Sequence, residues 1–348
     1  MVKKLNIGRE YKPFIIAEMS GNHNQSLEKA LEIVDEAADA GADALKIQTY
    51  TADTITLNID SGDFVINDPK SLWNGEKLYA LYQKAHTPWE WHQAIFKRCK
   101  ERGIYAFSTP FDETAVDFLE SLDAPFYKIA SFETSHLPLL KKIARIGKPI
   151  IMSNGLATLR ELTEAVETIR SVDKNNQLVL LKCTSTYPAS PSDANLATIP
   201  HIKDAFDCEV GLSDHTMGIG VSLAAIALGA TVIEKHFTIS RKDGGVDAAF
   251  SLEPKELKEL VIESEKVWQS IGNIKYGPTE NEQESLQFRR SIYISKDVKP
   301  GEILKYGENL KIVRPGFAAA PKDLSYYEGR TVKKALAAGT RVTLDILD

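Results

Sequence analysis

The sequence predicts an α/β fold, a (β/α)8 barrel followed by a small β-rich module. Short, largely apolar runs rich in β-branched residues alternate eight times with longer stretches of helical periodicity over residues 1–272, and eight such units are the number that closes a barrel. Runs such as IIAE and TVIEKHF are nearly continuous in apolar residues, as expected where helices cover a parallel sheet. The GxGxxG turn that is typical of a doubly wound dinucleotide-binding sheet is absent.

The predicted strands span residues 14–18, 44–48, 105–108, 126–130, 149–153, 179–183, 209–212 and 231–236. Among the helices, the clearest periodicity covers residues 27–40, where Gly41 is the expected C-cap. A second helix is predicted at residues 222–228, and Gly229 follows it in the same way.

The connection after the second strand, residues 51–87, is far longer than an ordinary βα loop. It carries aromatic residues that can anchor it, namely Phe64, Trp73, Tyr79 and Tyr82. We therefore expect an ordered insertion over the mouth of the barrel, where such folds place substrate recognition.

The last part of the chain has a different character. Residues 273–285 are polar and turn-rich, and they are interpreted as a linker. Residues 286–348 show short strands and turns. The segments SKDVKPGEILKYGENL and KKALAAGTRVTLDIL within them share a similar spacing of residues, which predicts a module of two similar halves. A module this small holds little core of its own, so we expect it to dock against a barrel or a partner subunit.

Composition excludes several classes of function. The formal charge of the 348 residues is −6, which argues against a nucleic-acid partner, although residues 286–348 carry +5 and the remainder −11. Such a basic tail can also supply cations to an anionic small substrate. Three cysteines without a CxxC pair fit a reducing compartment. Because neither a signal-peptide pattern nor a membrane-length apolar run occurs, we expect a cytoplasmic protein without a membrane partner.

Polar side chains end almost every predicted strand, which is where barrel enzymes place their chemistry. His215 and His236 end neighbouring strands, so their imidazoles can converge on a divalent ion such as Mn²⁺, Fe²⁺, Co²⁺ or Zn²⁺, with Asp214 and Glu234 orienting them. The alternative is that each histidine only hydrogen-bonds within the fold. The histidines at positions 86, 92, 136 and 201 are interpreted as surface or loop residues.

Lys46 and Lys128 lie inside apolar strands, where an ammonium group needs a carboxylate or a bound anion as its partner. With the hydroxyls of Thr109, Ser131, Ser153 and Ser213 they can form a cradle for phosphate or carboxylate. A Schiff-base lysine, as in class I aldolases, and a lysine that extends to the barrel rim are the alternatives. Glu18 and Glu133 suit acid–base chemistry, the binding of sugar hydroxyls or a plain salt bridge.

With these residues laid out, the chain resembles the sialic acid synthase family over essentially its whole length. The matching motifs are IAEMSGNHNQSLEKA at 16–30, GADALKIQT at 41–49, STPFD at 108–112, YKIAS at 127–131, KPIIMSNG at 148–155, KCTSTYP at 182–188, VGLSDHT at 210–216 and IEKHF at 233–237. The KDVKPGE and VRPGF motifs of the tail are similar to the antifreeze-like (SAF) domain that ends these synthases.

Within the family the likeness is closest to the pseudaminic acid synthases. It rests on KIQTYTADTITLN at 46–58, SLW at 71–73, LYALYQKAHTPWEWH at 78–92 and SFE at 131–133. The resemblance implies condensation of phosphoenolpyruvate with 2,4-diacetamido-2,4,6-trideoxy-altrose to a nine-carbon acid. N-acetylneuraminate and legionaminic acid synthases are the alternatives within the family. A Schiff-base aldolase, a sugar-binding protein and a synthase that acts on a phosphorylated sugar remain alternatives outside it.

The resemblance also assigns site residues. Those implied around phosphoenolpyruvate are Lys46, Gln48, Thr109, Lys128, Ser131, Ser153, Ser185, Tyr187 and Ser213. His215 and His236 would hold the metal, with Mn²⁺ the expected ion and Mg²⁺ or Co²⁺ as alternatives. Glu18, Glu133 and Asp247 would face the acetamido sugar. A domain-swapped homodimer is implied, in which Arg314 reaches the partner's barrel. Asn154 stands where the neuraminate synthases carry Thr, so the role of Asn154 stays open. Ser185 stands where those synthases carry Asn.

Overall fold

The computed structural model describes residues 5–69 and 71–348, which fall into two units, Met1–Gly272 and Asn273–Asp348. In the first unit eight parallel strands close into a barrel in sequence order, as predicted. They are β1 Phe14–Glu18, β2 Ala44–Thr49, β3 Tyr105–Pro110, β4 Tyr127–Ile129, β5 Ile150–Ser153, β6 Leu178–Cys183, β7 Glu209–Asp214 and β8 Val232–His236. The predicted strands agree within two residues at each end.

Helices follow the strands and surround the barrel. They are α1 Leu27–Ala40, α2 Ala52–Ile55, α3 Leu78–Ala85, α4 His92–Arg102, α5 Glu113–Ser121, α6 Leu137–Ile146, α7 Leu159–Val172, α8 Thr198–Phe206, α9 Gly220–Ala227 and α10 Pro254–Ile271. Helix α1 has the predicted bounds, and Gly41 ends it in the left-handed conformation at φ 93°. Helix α9 begins two residues before the predicted start. None of the helices in the described residues is long and apolar enough to cross a membrane.

Strand alternation sorts the core into two layers. Alternate residues such as Ile16, Ile151 and Val232 fill the inside of the barrel in one apolar cluster. Their chain neighbours, such as Ile15 and Ile233, pack outward against the helices in another. Because side chains alternate between the two faces of a strand, the inward positions nearest the carboxyl ends lie above the apolar plug. Several of these positions hold polar residues, and this arrangement places the candidate site.

The long connection after β2 is ordered. It contains α2, a 3₁₀ turn at Gly62–Phe64 and α3. The indole N–H of Trp73 donates to the carbonyl oxygen of Val246 at 3.2 Å, in the loop after β8, and the hydroxyl of Tyr79 donates to Asp53 at 2.9 Å. The prediction of an ordered insertion at the barrel mouth is confirmed.

His92 corrects the sequence-based interpretation of the lone histidines. It lies at the start of α4 with no exposed surface. Its Nε2 lies 2.8 Å from the hydroxyl of Thr49, and its Nδ1 lies 3.2 Å from the carbonyl oxygen of Pro88. Burial lowers the pKa of this imidazole to about 4. The prediction of a surface residue was wrong because α4 turns its first residue towards β2.

The second unit has an internal two-fold pattern, as the sequence echo predicts. Strands β9 Ser291–Ile294 and β10 Leu310–Val313 pair in antiparallel fashion. The backbones of Val298 and Leu336 exchange two hydrogen bonds, of 2.9 and 3.0 Å. Gly301 donates to Val332 and Gly339 to Ile294, each at 2.8 Å, so equivalent residues of the two segments make equivalent bonds.

The remaining elements of the second unit are short. Helix α11 spans Leu324–Tyr327, and a 3₁₀ helix spans Glu280–Phe288. The predicted linker, residues 273–285, therefore includes the first part of this 3₁₀ helix. The segment is largely exposed.

We predict that the interior of the barrel does not accept one extra methyl group at Gly211 in β7. A Cβ there would meet the carbonyl oxygen of Val232 at 2.3 Å and Cδ2 of Leu181 at 2.6 Å. Because backbone must move to relieve this, Gly211→Ala should lower the free energy of unfolding by about 1–3 kcal/mol. Urea denaturation measures the change. Gly220→Ala is the control, since a Cβ at Gly220 meets no heavy atom within 4 Å. An equal change in both variants would contradict the prediction.

Candidate active site

A buried charge cluster lies inside the carboxyl end of the barrel. The ammonium group of Lys46 lies 3.2 Å from Oε2 of Glu18 and 3.3 Å from Oε1 of Glu234. Lys128 lies 3.5 Å from the same oxygen of Glu234. All four side chains are at most 5% exposed. Of the two partners that the sequence left open for these lysines, a carboxylate or a bound anion, the structure shows carboxylates, and Glu234 is the one that they share.

Electrostatics within the cluster follow from burial and from these pairs. Burial raises the pKa of Glu234, but the ammonium groups of Lys128 and Lys46 outweigh it and hold that pKa at about 2. Burial lowers the pKa of Lys128. For Lys46 the carboxylates of Glu18 and Glu234 outweigh burial, and its pKa is raised. The carboxylate of Glu234 thus stabilises two cations that would otherwise be very costly inside the barrel.

Hydroxyl groups surround the two lysines. Lys128 donates to the hydroxyl of Ser153 at 2.7 Å, and Lys46 lies 3.5 Å from that of Thr109. The hydroxyls of Ser131 and Ser185 lie 2.8 Å apart. The hydroxyl of Ser213 instead donates to Glu234 at 3.0 Å. The structure brings these five residues to one end of the barrel, where hydroxyl and ammonium donors suit a phosphate or carboxylate group.

Gly155 allows two of these hydroxyls to approach each other. A Cβ at this position would lie 2.0 Å from Cβ of Ser131 and 2.7 Å from the hydroxyl of Ser185. The neighbouring Asn154 accepts a hydrogen bond from the backbone N–H of Cys183 at 3.1 Å. The role of Asn154, which the sequence left open, is to join the ends of β5 and β6.

Glu18, Gln48 and Asp247 lie on the side of β1 and β2. The amide of Gln48 donates to Glu18 at 2.8 Å and to the hydroxyl of Ser20 at 3.1 Å. Asp247 is buried, and burial raises the pKa of its carboxyl group against the opposing effect of Ser20 and the backbone of Gly21. These contacts connect the charge cluster to the loop after β8.

Glu133 follows β4, and one of its carboxylate oxygens, Oε2, has no hydrogen-bond partner among the described residues. Burial raises the pKa of this carboxyl to about 7, against the opposing effect of Lys128. A carboxyl group that titrates near neutrality can donate or accept a proton at physiological pH.

His215 and His236 face each other with ring centroids 5.3 Å apart. Nδ1 of His215 lies 2.8 Å from the carbonyl oxygen of Thr184. Because a carbonyl only accepts, Nδ1 is the nitrogen that donates. Burial acts to lower the pKa of this imidazole, but the contacts with Cys183, the backbone of Thr184 and Glu234 outweigh it, and the pKa is raised. Burial, followed by the proximity of His215, lowers the pKa of His236 well below its ordinary value, so this ring is neutral.

The histidine pair fits a divalent ion. Nδ1 of His236 is buried and has no hydrogen-bond partner in the described residues, and it lies 3.7 Å from a carboxylate oxygen of Asp247. Imidazole nitrogens next to a carboxylate suit Mn²⁺, Co²⁺ or Zn²⁺. Within residues 5–69 and 71–348, no three His, Cys, Asp or Glu side chains converge as a ligand set.

The prediction that Asp214 and Glu234 orient the two histidines is wrong. Asp214 accepts from the hydroxyls of Thr216 and Ser222, at 2.7 and 2.6 Å, and pairs with Lys235 at 3.3 Å. Alternation explains this: Asp214 and Lys235 are register partners on the outer face of β7 and β8. Glu234 pairs with Lys46 and Lys128. The carbonyl oxygen of Thr184 orients His215 instead.

Tyr187 lies beside the histidines in an aromatic group that the sequence reading did not assemble. Its ring centroid is 4.5 Å from that of His215, 5.4 Å from that of Phe250 and 5.9 Å from that of Trp73. Phe250 and Cys183 also contact the site, since Phe250 is 4.9 Å from His236 between centroids and Cys183 lies 3.7 Å from the hydroxyl of Ser185. Alternation along β6 could have found Cys183, but no local signal marks Phe250.

Arg314 belongs to the second unit. It follows β10 directly, and its side chain is exposed.

Comparisons with known proteins give the context for this geometry. The NeuB family model matches residues 33–276, and that of the SAF domain matches residues 289–347. The pseudaminic acid synthase of Campylobacter jejuni subsp. jejuni serotype O:2 is 44% identical over 334 residues, which cover 96% of each chain. The N,N'-diacetyllegionaminic acid synthase of the same strain is 38% identical over 326 residues, covering 93% of this chain and 96% of that one.

A solved structure is similar as well. The N-acetylneuraminic acid (sialic acid) synthetase of Leptospira borgpetersenii serovar Hardjo-bovis, in complex with citrate, matches with a TM-score of 0.72 and 34% identity. The match covers 82% of this chain and 95% of that one.

We predict that the Asp214–Lys235 pair is a source of stability behind the histidines. Lys235→Met leaves the buried Asp214 carboxylate without its cation, which should lower the free energy of unfolding by about 3–5 kcal/mol. Adding Asp214→Asn should recover part of this loss, because the uncompensated charge is then removed. Urea denaturation of the single and the double variant measures the free energy of unfolding. Arg160→Met, which breaks an exposed pair with Glu164, is the control and should cost less than about 1 kcal/mol. If Lys235→Met lowered the free energy of unfolding no more than Arg160→Met does, the prediction would be contradicted.

Proposed function

Because this chain belongs to the NeuB family, we propose that it is an enzyme that condenses phosphoenolpyruvate with 2,4-diacetamido-2,4,6-trideoxy-altrose to form pseudaminic acid and phosphate. The choice of sugar is supported by 44% identity to a pseudaminic acid synthase, against 38% to a legionaminic acid synthase of the same strain, each over at least 93% of this chain. The legionaminic counterpart of the sugar is the second candidate substrate.

The observation that carries the chemistry is the buried pair of lysines beside two buried histidines. Phosphoenolpyruvate is a small trianion, and Lys46 and Lys128 are ammonium groups that a bound anion can draw from their shared carboxylate Glu234. The hydroxyls of Thr109, Ser131, Ser153 and Ser185 complete the donors for its phosphate and carboxylate. A site closed to bulk water strengthens each of these contacts.

In the reaction, C3 of phosphoenolpyruvate attacks the aldehyde carbon of the open-chain sugar, and positive charge develops at C2. Water adds at C2 and loses one proton, and the former aldehyde oxygen takes up a proton to become a hydroxyl group. The new hydroxyl at C2 then loses its proton as the C2–O bond to phosphate breaks, which gives the C2 carbonyl and hydrogen phosphate. Lys46 and Lys128 compensate the charge of the substrate throughout. We assign Glu18 and Asp247 to the binding of the sugar hydroxyls, and Gln48 holds Glu18 in place.

His215 and His236 would hold the divalent ion, for which we propose Mn²⁺. When bound, such an ion supplies Lewis-acid polarisation of the aldehyde oxygen. The chain's own contribution is to keep the imidazole of His236 neutral and, through the carbonyl oxygen of Thr184, to fix the orientation of the His215 ring.

We assign the general base for the attacking water to Glu133. Its carboxyl group is buried near Lys128, hence near the proposed position of phosphoenolpyruvate, and its pKa of about 7 matches the pH at which the enzyme would work. A cytoplasmic, domain-swapped dimer, in which Arg314 of one subunit reaches the sugar bound in the other, is part of the proposal. It is supported by family membership and by the basic second unit.

We predict phosphate release from phosphoenolpyruvate in the presence of Mn²⁺ and the altrose sugar. Chelation with EDTA should abolish the release, and added Mn²⁺ should restore it. The legionaminic counterpart and N-acetylmannosamine are the comparison sugars. Release with either of these but not with the altrose sugar would overturn the proposed substrate. No release from folded, metal-loaded protein, together with a borohydride-trapped adduct of pyruvate, would instead indicate a Schiff-base aldolase.

The pH dependence of kcat gives a second prediction. Glu133 acts as a base only when ionised, so kcat should rise as the pH passes through about 7. Glu133→Gln should lower kcat by about 10²–10⁴-fold and remove this rise. Stopped-flow phosphate detection between pH 5.5 and 9, values chosen to span about two pH units around that pKa, measures the profile. A slower variant with an unchanged profile would show that another group is the base.

A further inference from the structure

The histidine pair has an aromatic neighbourhood as well as a charged one. Tyr187 contacts His215, Phe250 and Trp73 through its ring, with centroid distances of 4.5, 5.4 and 5.9 Å. Phe250 contacts His236 at 4.9 Å. We call Trp73, Tyr187 and Phe250 the aromatic wall. Phosphoenolpyruvate accounts for the charged neighbourhood and for the hydroxyl of Tyr187, whereas the rings of Trp73 and Phe250 have no function in binding an anion.

Trp73 is the member of the wall that the long insertion after β2 supplies. Its indole N–H donates to the carbonyl oxygen of Val246, the residue before Asp247, at 3.2 Å. Asp247 in turn lies 3.7 Å from His236. The insertion is therefore fixed to the loop that carries a residue of the site. Because the only polar atom of the indole is already paired with backbone, Trp73 offers a ligand only apolar ring surface.

The sugar of the proposed function has a feature that matches this surface. In the orientation that the proposal requires, its aldehyde carbon lies at the histidine pair and the other end of the six-carbon chain points to the aromatic wall, which begins with Tyr187 beside His215 and continues to Trp73. In a 6-deoxy sugar this end is a methyl group, whereas in N-acetylmannosamine it is a hydroxymethyl group. Contact with an indole favours the methyl group, and it leaves a hydroxyl without a hydrogen-bond partner.

We propose that Trp73 is a specificity-determining residue that selects a sugar with a methyl group at C6. The inference rests on the proposed function and deepens it, since it assigns one structural feature of the substrate to one side chain. Tyr187 contacts the indole from the side of the histidines, and Phe250 contacts Tyr187 in turn. Leu72, the preceding residue, is 52% exposed and has no such role.

The test compares two sugars that differ only at C6, namely 2,4-diacetamido-2,4,6-trideoxy-altrose and its 6-hydroxy counterpart. Phosphate release gives kcat/KM for each sugar at saturating phosphoenolpyruvate and Mn²⁺. The wild-type protein should prefer the 6-deoxy sugar by about 10–100-fold. Trp73→Ala should reduce this ratio by about tenfold or more, through loss of activity on the 6-deoxy sugar. Trp73→Phe should keep most of the ratio, and Leu72→Ala all of it.

Each outcome decides between the two claims. If Trp73→Ala lowers kcat/KM equally for both sugars, the residue only anchors the insertion, or it contacts an acetamido group, and the specificity proposal fails while the proposed function stands. A wild-type protein with equal activity on the two sugars has the same consequence. If the wild-type protein releases phosphate with N-acetylmannosamine alone, or with no sugar, the proposed function fails, and the role of Trp73 fails with it. Circular dichroism checks that each variant is folded.

Discussion

One carboxylate, that of Glu234, makes the charged interior of this barrel possible. Two lysine side chains enter the barrel above its apolar plug, and each would be prohibitively costly alone. Oε1 of Glu234 lies 3.3 Å from one ammonium group and 3.5 Å from the other, and it also accepts the hydroxyl of Ser213 at 3.0 Å. The same β8 strand ends two residues later in His236, so one strand stabilises the cations and supplies half of the histidine pair.

Strand alternation decides which polar residues join this cluster. Glu234 and His236 are two residues apart and point inward, whereas Lys235 between them points outward and pairs with Asp214. The sequence showed every one of these side chains at a strand end, and it predicted the barrel, the strand order and the convergence of the histidines. It misassigned Asp214 and Glu234 because residues were grouped by their nearness to the strand end and not by the face of the strand.

Contacts made by loops could not be predicted in the same way. Phe250 and Thr184 reach the histidines from loops, where no periodicity links position in the sequence to position in space. His92 was assigned to the surface because a lone histidine at a helix start carries no sign of burial, although its ring contacts Thr49 in β2. The role of Asn154 likewise depends on a single bond to the backbone of the next strand.

The difference between site residues on strands and site residues on loops affects how the protein can discriminate between sugars. The polar residues at the inner ends of the strands contact one another. Glu234 forms ion pairs with Lys46 and Lys128, and the hydroxyls of Ser131 and Ser185 form a hydrogen bond next to Gly155. A change at any of them disturbs the anion site, so these positions have little freedom to distinguish one sugar from another. Loop residues such as Trp73 touch the site from outside this network, through a ring contact and one backbone hydrogen bond. Discrimination between sugars can therefore reside in the insertion, where a side chain is exchangeable without removing a partner from a buried charge.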